Sequence, residues 1–308
     1  MLTIKETQLL NRVGPATIMG TYLRQSWLPV IESAELAPGE QPTQVRLLGE
    51  ELVVYREPGG QVGLLGAWCA HASAPMAQAA NEEDGLFCGL HGWKFDRNGR
   101  CIYGGGVYWE EMFNRSFRLP AYPCIESEGI VFAFMGARSG EPVPELAEPT
   151  WLTGGARRAS LSVHHVRWYR AIEAEIRAAM TEGTSLEFQM PCALIRRAAT
   201  GGIAAAHLWV PIDDEHSLAW VVQLGTEPSL ASQVTEPQYL PERRGWFYPR
   251  RWAVPPADPV IESRPIPATP APDAELPETP ADVAVLDALQ QLIHASREFR
   301  EHGVAAGR

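Results

Sequence analysis

Two short clusters bring cysteine and histidine together: Cys69-Ala70-His71 and Cys88-Gly89-Leu90-His91, separated by the 16 residues 72–87. Each cluster supplies one thiol and one imidazole beside a glycine-bearing turn. Cys and His in close local pairs have the spacing of a metal site. A zinc finger keeps Cys with Cys and His with His. The mixed pairs here suit a [2Fe–2S] cluster in which two Cys hold one iron and two His hold the other. Spacing alone leaves two alternatives open: a zinc ion, or two core thiols with unrelated histidines. Cys101, Cys124 and Cys192 have no partner at ligand spacing and read as buried thiols. Lys94, Arg97 and Arg100 lie just past the second cluster. They offer a docking site for an acidic reductase or ferredoxin; a solvated charged turn is the simpler reading.

The elements that must position these residues are short. Lys5 to Trp27 carries apolar residues at mixed helical spacing, interrupted by Gly14-Pro15, and predicts two helical pieces. VRLLGEELVVY, residues 45–55, reads as two strands around a Gly49-Glu50 turn, and VGLLGAW, 62–68, as a third. Gly85 to Phe95 and Gly99 to Tyr103 read as strands around an Asn98-Gly99 turn, and Ile130 to Met135 as a buried strand. Such spacing predicts an all-β domain over residues 40–140, after an N-terminal helical segment, 1–39.

Gly140 to Pro149 reads as a linker. Residues 150–308 then predict a mixed domain: a helix from Arg167 to Thr181 and two strands, Ile203–Ile212 and Ser217–Leu224, joined at Asp213-Asp214-Glu215. Half of the 26 prolines fall between 228 and 280, which rules out a long helix or central strand there. A last helix is expected from about Ala281 to Glu301, with Val285, Leu289 and Leu292 on one face. The fold class is therefore α+β.

With a net charge of −11 and a pI near 5.3, the chain lacks the basic surface a nucleic-acid binder needs. Its apolar runs fall short of the roughly 20 residues of a membrane span. MLTIKETQLL has no secretory pattern, so a cytoplasmic location is expected. Five cysteines do not make a disulfide scaffold.

From Cys88 the sequence runs CxxHGWxFDxxGxC to Cys101, and this resembles the second cluster loop of Rieske oxygenase α subunits. LLNRVGPATIMGTYLRQSWLP, VRLLGEELVVYRE and LPAYPCIESEGIVFAFMG extend the likeness. Together they resemble the phthalate 4,5-dioxygenase branch of the Rieske non-haem iron oxygenases, closely over about residues 8–140. The resemblance implies a Rieske [2Fe–2S] domain with Cys69, His71, Cys88 and His91 as ligands, followed by a truncated oxygenase-type helix-grip domain. The family usually has Pro and Arg flanking the first His and an aromatic before the second. Here they are Ala70, Ala72 and Leu90. Such neighbours tune a cluster's potential without being ligands.

The resemblance also implies a mononuclear iron held by two His and a carboxylate, with the histidines in a pattern like NWxxxxExxxDxxHxxxxH. Trp168 and Glu173 match this pattern, but Arg177 stands at the Asp position and Met180 and Ser185 at the His positions. A thioether and a neutral hydroxyl do not suit Fe(II), and an arginine there is a fixed cation. Arg177 is a candidate to pair with a carboxylate on a neighbouring subunit. Asp282 and Asp287 are late carboxylates at no ligand spacing. His164, His165, His207 and His216, with Glu173, Glu175, Glu182 and Glu187, read as ordinary core or surface residues. His164 and His165 sit in a strand and point to opposite faces.

No mononuclear iron is therefore expected. The function expected is that of a Rieske [2Fe–2S] subunit in a heteromeric aromatic-ring oxygenase or demethylase, with a catalytic α-type subunit and a reductase or ferredoxin as partners. The alternatives are an active oxygenase with an atypical iron site, a free Rieske electron carrier, and a cluster that only stabilises the fold. GWFYP at 245–249 is a candidate interface.

Overall fold

The computed structural model describes residues 2–104, 117–137, 142–146, 157–184, 186–198, 202–224 and 280–302. The Pro-rich 249–280 segment, apart from Pro280, and the 245–249 aromatic run lie outside the described residues, as does Ser185.

Helix α1, Ile4–Asn11, opens on a capping box. The Glu6 amide donates to Thr3 Oγ1 at 3.3 Å, and the Thr3 amide donates to Glu6 Oε2 at 2.9 Å. After the break at Gly14-Pro15, Thr17 caps α2, Ile18–Leu23. The stretch read as helical then ends in a strand, β1 (Trp27–Glu32). Its β-branched Val30 and Ile31 and its Pro29 suit an edge strand, and it pairs antiparallel with β11 (Ile130–Phe134).

Three antiparallel sheets build the first half: β1 with β11 and β10 (Cys124–Ser127); β2 (Thr43–Leu47), β3 (Glu50–Arg56), β4 (Val62–Gly66) and β9 (Ala121–Tyr122); and β5 (Ala80–Glu82), β6 (Gly85–Cys88), β7 (Trp93–Phe95) and β8 (Cys101–Gly104). Strand β3 is apolar on both faces because each face meets a different core. Leu52 and Val54 join the larger one, while Val53 and Tyr55 join a smaller one with Leu65, Leu86, Trp93 and Phe95. The β2–β3 turn falls at Leu48-Gly49, one residue before the expected position; both residues adopt positive φ, as a tight hairpin requires. The expected 85–95 strand is a hairpin, β6–β7, whose loop carries His91.

The second half is a five-stranded antiparallel sheet in the order β12-β16-β15-β14-β13. Its strands are β12 (Arg157–His164), β13 (Leu186–Gln189), β14 (Ala193–Arg197), β15 (Ile203–Pro211) and β16 (Ser217–Leu224). Strands β13 and β14 were not anticipated, since Glu187, Gln189, Arg196 and Arg197 dilute their apolar pattern. Helix α3 (Trp168–Thr181) buries Trp168, Ile172, Ile176 and Ala179. Helix α4 (Pro280–His302) packs on α3 and α2 through Val285, Leu289 and Leu292.

The halves are stitched together at several points. Leu48 and Gly49 donate backbone hydrogen bonds to Pro211 and Ile212 at 3.1 and 2.7 Å. Arg46 pairs with Asp213 at 3.1 Å, and the Trp168 indole donates to the Leu10 carbonyl at 3.0 Å.

Candidate metal centre

Two loops project from the smaller core, and each is closed by its own backbone. In the first, the Cys69 amide donates to Ala74 O at 2.8 Å and the Ser73 amide to Cys69 O at 2.9 Å, with His71 at the turn. In the second, Cys88 faces Trp93 across the β6–β7 ladder, and the Gly92 amide donates to Cys88 O at 3.0 Å. Gly92 holds φ at +73°, a conformation that favours glycine and reverses the chain between His91 and Trp93.

The loops place their thiols inside and their imidazoles outside. Cys69 and Cys88 are 3% and 4% exposed within the smaller core. Burial pushes the Cys69 thiol up, and the Cys88 thiol raises it further. His71 and His91 are exposed, with ring centroids 4.6 Å apart at 80°. All four residues singled out from the sequence therefore gather at one end of the domain. Among the described residues, no three His, Cys, Asp or Glu side chains could hold a single metal ion. A thiol pair and an imidazole pair suit a two-iron group in which each pair holds one iron. From Pro58 to Asn81 and from Gly85 to Trp93 no charged side chain occurs, and Leu90 beside His91 is 60% exposed.

Of the cations past the second loop, Lys94 does not stand free to dock a partner. Lys94 is largely covered and held by Asp84 and by Glu82 at 2.6 Å. Asp96 closes the next turn, accepting from Asn98 and Arg100 amides at 2.9 and 2.7 Å. Cys101 is buried near Cys69, Cys124 is half-buried and Cys192 is buried, each with its thiol pushed up by burial.

In the second half, Arg177 pairs with Glu173 on its own helix at 3.1 Å, rather than standing free for a neighbouring subunit. Glu173 also receives Arg170 at 2.6 Å. Met180 is partly exposed. Asp287 accepts from Gln291 one turn on.

Sequence reasoning missed a polar node between α3 and β15. His207 Nδ1 lies 3.0 and 3.1 Å from the two Glu175 oxygens, and the Trp209 indole donates to Glu175 at 3.0 Å. The available signal was a carboxylate bordering the apolar stripe Trp168, Ile172, Ile176, Ala179. His164 is buried beside Trp209 and bonded to Ser162 Oγ at 2.8 Å; burial holds its imidazole below the usual range. His165 is exposed and stacks on His216 at 4.7 Å, while His216 Nδ1 meets Asp213 at 2.8 Å.

Residues 26–106 match the family described as the Rieske [2Fe-2S] domain. The 3-chlorobenzoate-3,4-dioxygenase oxygenase subunit of Comamonas testosteroni is 40% identical over 47% of this chain and 33% of its own length. The 5,5'-dehydrodivanillate O-demethylase oxygenase subunit of Sphingobium sp. (strain NBRC 103272 / SYK-6) is 35% identical over 56% and 41%. The phthalate 4,5-dioxygenase oxygenase subunit of Pseudomonas putida is 32% identical over 58% and 41%. The chain carries a Rieske [2Fe-2S] domain and is similar to Rieske oxygenase subunits. It spans between a third and about two-fifths of the length of these relatives.

Among solved structures, the terminal oxygenase of carbazole 1,9a-dioxygenase from Novosphingobium sp. KA1 superposes with a TM-score of 0.53 at 19% identity, covering 73% of this chain and 81% of that one. The same score is reached by a carbazole 1,9a-dioxygenase oxygenase in complex with ferredoxin, at 18% identity over 72% and 78%. At such identities the likeness is one of fold: a mostly β Rieske domain with a further α+β oxygenase-like domain. No helix among the described residues is long and apolar enough to cross a membrane.

Proposed function

We propose that this chain is the [2Fe–2S] subunit of a heteromeric aromatic-ring oxygenase or demethylase, binding its cluster through Cys69, His71, Cys88 and His91. The observation that carries the reading is two buried thiols of one core and two exposed imidazoles 4.6 Å apart, one of each on either loop. When bound, the cluster supplies one-electron storage and transfer. The chain's own residues keep the thiol side dry and present the imidazole side to a partner. A reductase or ferredoxin is the electron source, supported by the ferredoxin complexes of its structural neighbours. The subunit works in the cytoplasm on behalf of a catalytic α-type subunit.

This chain carries no mononuclear iron of its own in this reading. Support comes from Arg177 bound to Glu173 and from a partly exposed Met180, at positions where the family resemblance implies Asp and His. Residues 1–39, 40–140 and 150–308 are its three parts, the last a degenerate oxygenase-like domain.

Purified protein tests the reading. About two irons and two sulfides per chain are expected, with the colour and reduced-state EPR signal of a Rieske cluster. Colourless protein with one zinc would sink the cluster assignment. A reproducible third iron, lost on replacing a His or Glu of the second half, would sink the iron-free reading. Co-expression with oxygenase subunits encoded nearby tests the assembly. If a candidate partner is fully active without this chain, and the chain purifies alone as a homotrimer, the heteromer is refuted. In an active pair, Cys88→Ser separates the roles: lost turnover with the assembly intact means electron relay, and retained turnover means a structural cluster.

A further inference from the structure

We propose that Trp93 is the positioning residue of this centre: its indole face fixes the ring of His71 and thereby sets the relation of the two imidazoles. This rests on Cys69, His71, Cys88 and His91 holding the cluster.

Trp93 is 4% exposed and opens β7, where its backbone is paired on both sides, with Cys88 on β6 and Gly104 on β8. Its side chain leaves its own loop and lies flat against His71 of the other: centroids are 4.5 Å apart and the planes differ by 3°. Phe117 meets the indole edge-on at 5.0 Å and 87°, and Phe95 packs at 6.3 Å. The indole is thus fixed from the core side and offers one flat face to the imidazole. In sequence His71 is flanked by Ala70 and Ala72, whose side chains carry no polar group to steady the ring. His91 stands two residues before Trp93, across the reversal at Gly92. One residue of the second loop therefore orients the ligand of the first, and the 80° relation of the imidazoles follows from this clamp.

The stack also has an electrostatic sense. The indole face is negative and favours the more positive state of a ring laid on it. An imidazole on iron is more positive when the cluster is oxidised. Removing the indole withdraws that preference and admits water, which favours the more negative reduced state. Both effects raise the reduction potential.

The test is made on the full-length protein, with Trp93→Leu, Trp93→Met and Trp93→Phe. In the Leu and Met variants the potential should rise, the reduced-state EPR signal should broaden as the ring loses its single orientation, and cluster lifetime against a chelator should fall on the order of tenfold. The Phe variant keeps a flat face and should fall between these and wild type. Leu and Met variants that load fully with wild-type potential and signal overturn the proposal. If they hold no cluster, the Phe variant decides: retention with an intermediate potential supports the clamp. Loss in all three marks Trp93 as a core residue only and overturns it. Wild-type protein without a [2Fe–2S] signal would instead refute the cluster assignment itself.

Discussion

Replacing Arg24 by Met should be among the most costly single changes in this chain outside the cluster loops. The guanidinium is buried just beyond α2. Its Nη1 donates to the Val13 and Gly20 carbonyls at 3.1 and 3.0 Å, and its Nη2 to the Leu48 carbonyl at 2.9 Å and Glu50 at 2.8 Å. The side chains of Arg24 and Glu50 are 7% and 19% exposed. Glu50's other oxygen accepts the Tyr122 hydroxyl at 2.7 Å. Methionine fills most of the volume but strands the Glu50 charge with one donor and leaves the carbonyl of the β2–β3 turn without its donor. Breaking such a buried pair costs about 3–5 kcal/mol. At roughly 2 °C per kcal/mol for a chain this long, thermal unfolding should begin about 6–10 °C lower. Most of that cost belongs to the stranded carboxylate, so adding Glu50→Gln should recover about half of it. Thermal melts followed by far-UV circular dichroism measure both. A drop under about 2 °C in the single variant, or no recovery in the double, would refute the idea that this ion pair ties the N-terminal segment to the sheet.

Glu175→Ala removes the acceptor shared by His207 and Trp209 and should destabilise the second half by about 1–3 kcal/mol, read as a lower denaturant midpoint. His164 has its imidazole held below the usual range by burial, so its neutral form is favoured on folding. Its contribution is complete above the unfolded value near pH 6.5 and is lost as pH falls below it. Unfolding midpoints from pH 8 to 5 should show this decline, and His164→Gln should flatten it. Lys94→Gln should leave the rate of electron transfer from a reductase unchanged within a small factor, since Lys94 is largely covered and already engaged by Glu82 and Asp84. A tenfold slower rate at unchanged cluster content would restore its docking role.

The candidate centre was legible because its residues are local: two pairs, each within one loop, in a sequence whose turn signals mark the hairpins that carry them. Val285, Leu289 and Leu292 were legible for the same reason, since a 3.6-residue period needs no knowledge of the rest of the chain. What escaped depends on long-range partners. Strand β1 is an edge strand whose order comes from pairing with β11, about a hundred residues away. Glu175 reads as a surface carboxylate until β15 brings His207 and Trp209 beneath it. Lys94 reads as an available cation because its partners, Glu82 and Asp84, come to it through the hairpin. Arg177 is a different case, since Glu173 stands one helical turn before it and the pairing was already in the sequence.

The register of α3 sets which of its side chains meet the sheet and which face outward. With 3.6 residues per turn, Trp168, Ile172, Ile176 and Ala179 form the buried stripe, and Glu175 lies on its margin facing β15. Arg177 stands nearly opposite that stripe, and Met180 lies at its edge, partly exposed. Glu173 is shared between Arg170 and Arg177 at 2.6 and 3.1 Å, which closes the outward face into an ion-pair chain of its own. A ligand helix needs donors with spare lone pairs on one face. This helix offers guanidiniums, a carboxylate already occupied and a thioether. Its remaining free carboxylate chemistry is directed inward, where Glu175 ties helix to sheet with a histidine and a tryptophan. Arg177 and Met180, at the positions where the resemblance implies Asp and His, thus lie on the outward side of this helix, away from the sheet.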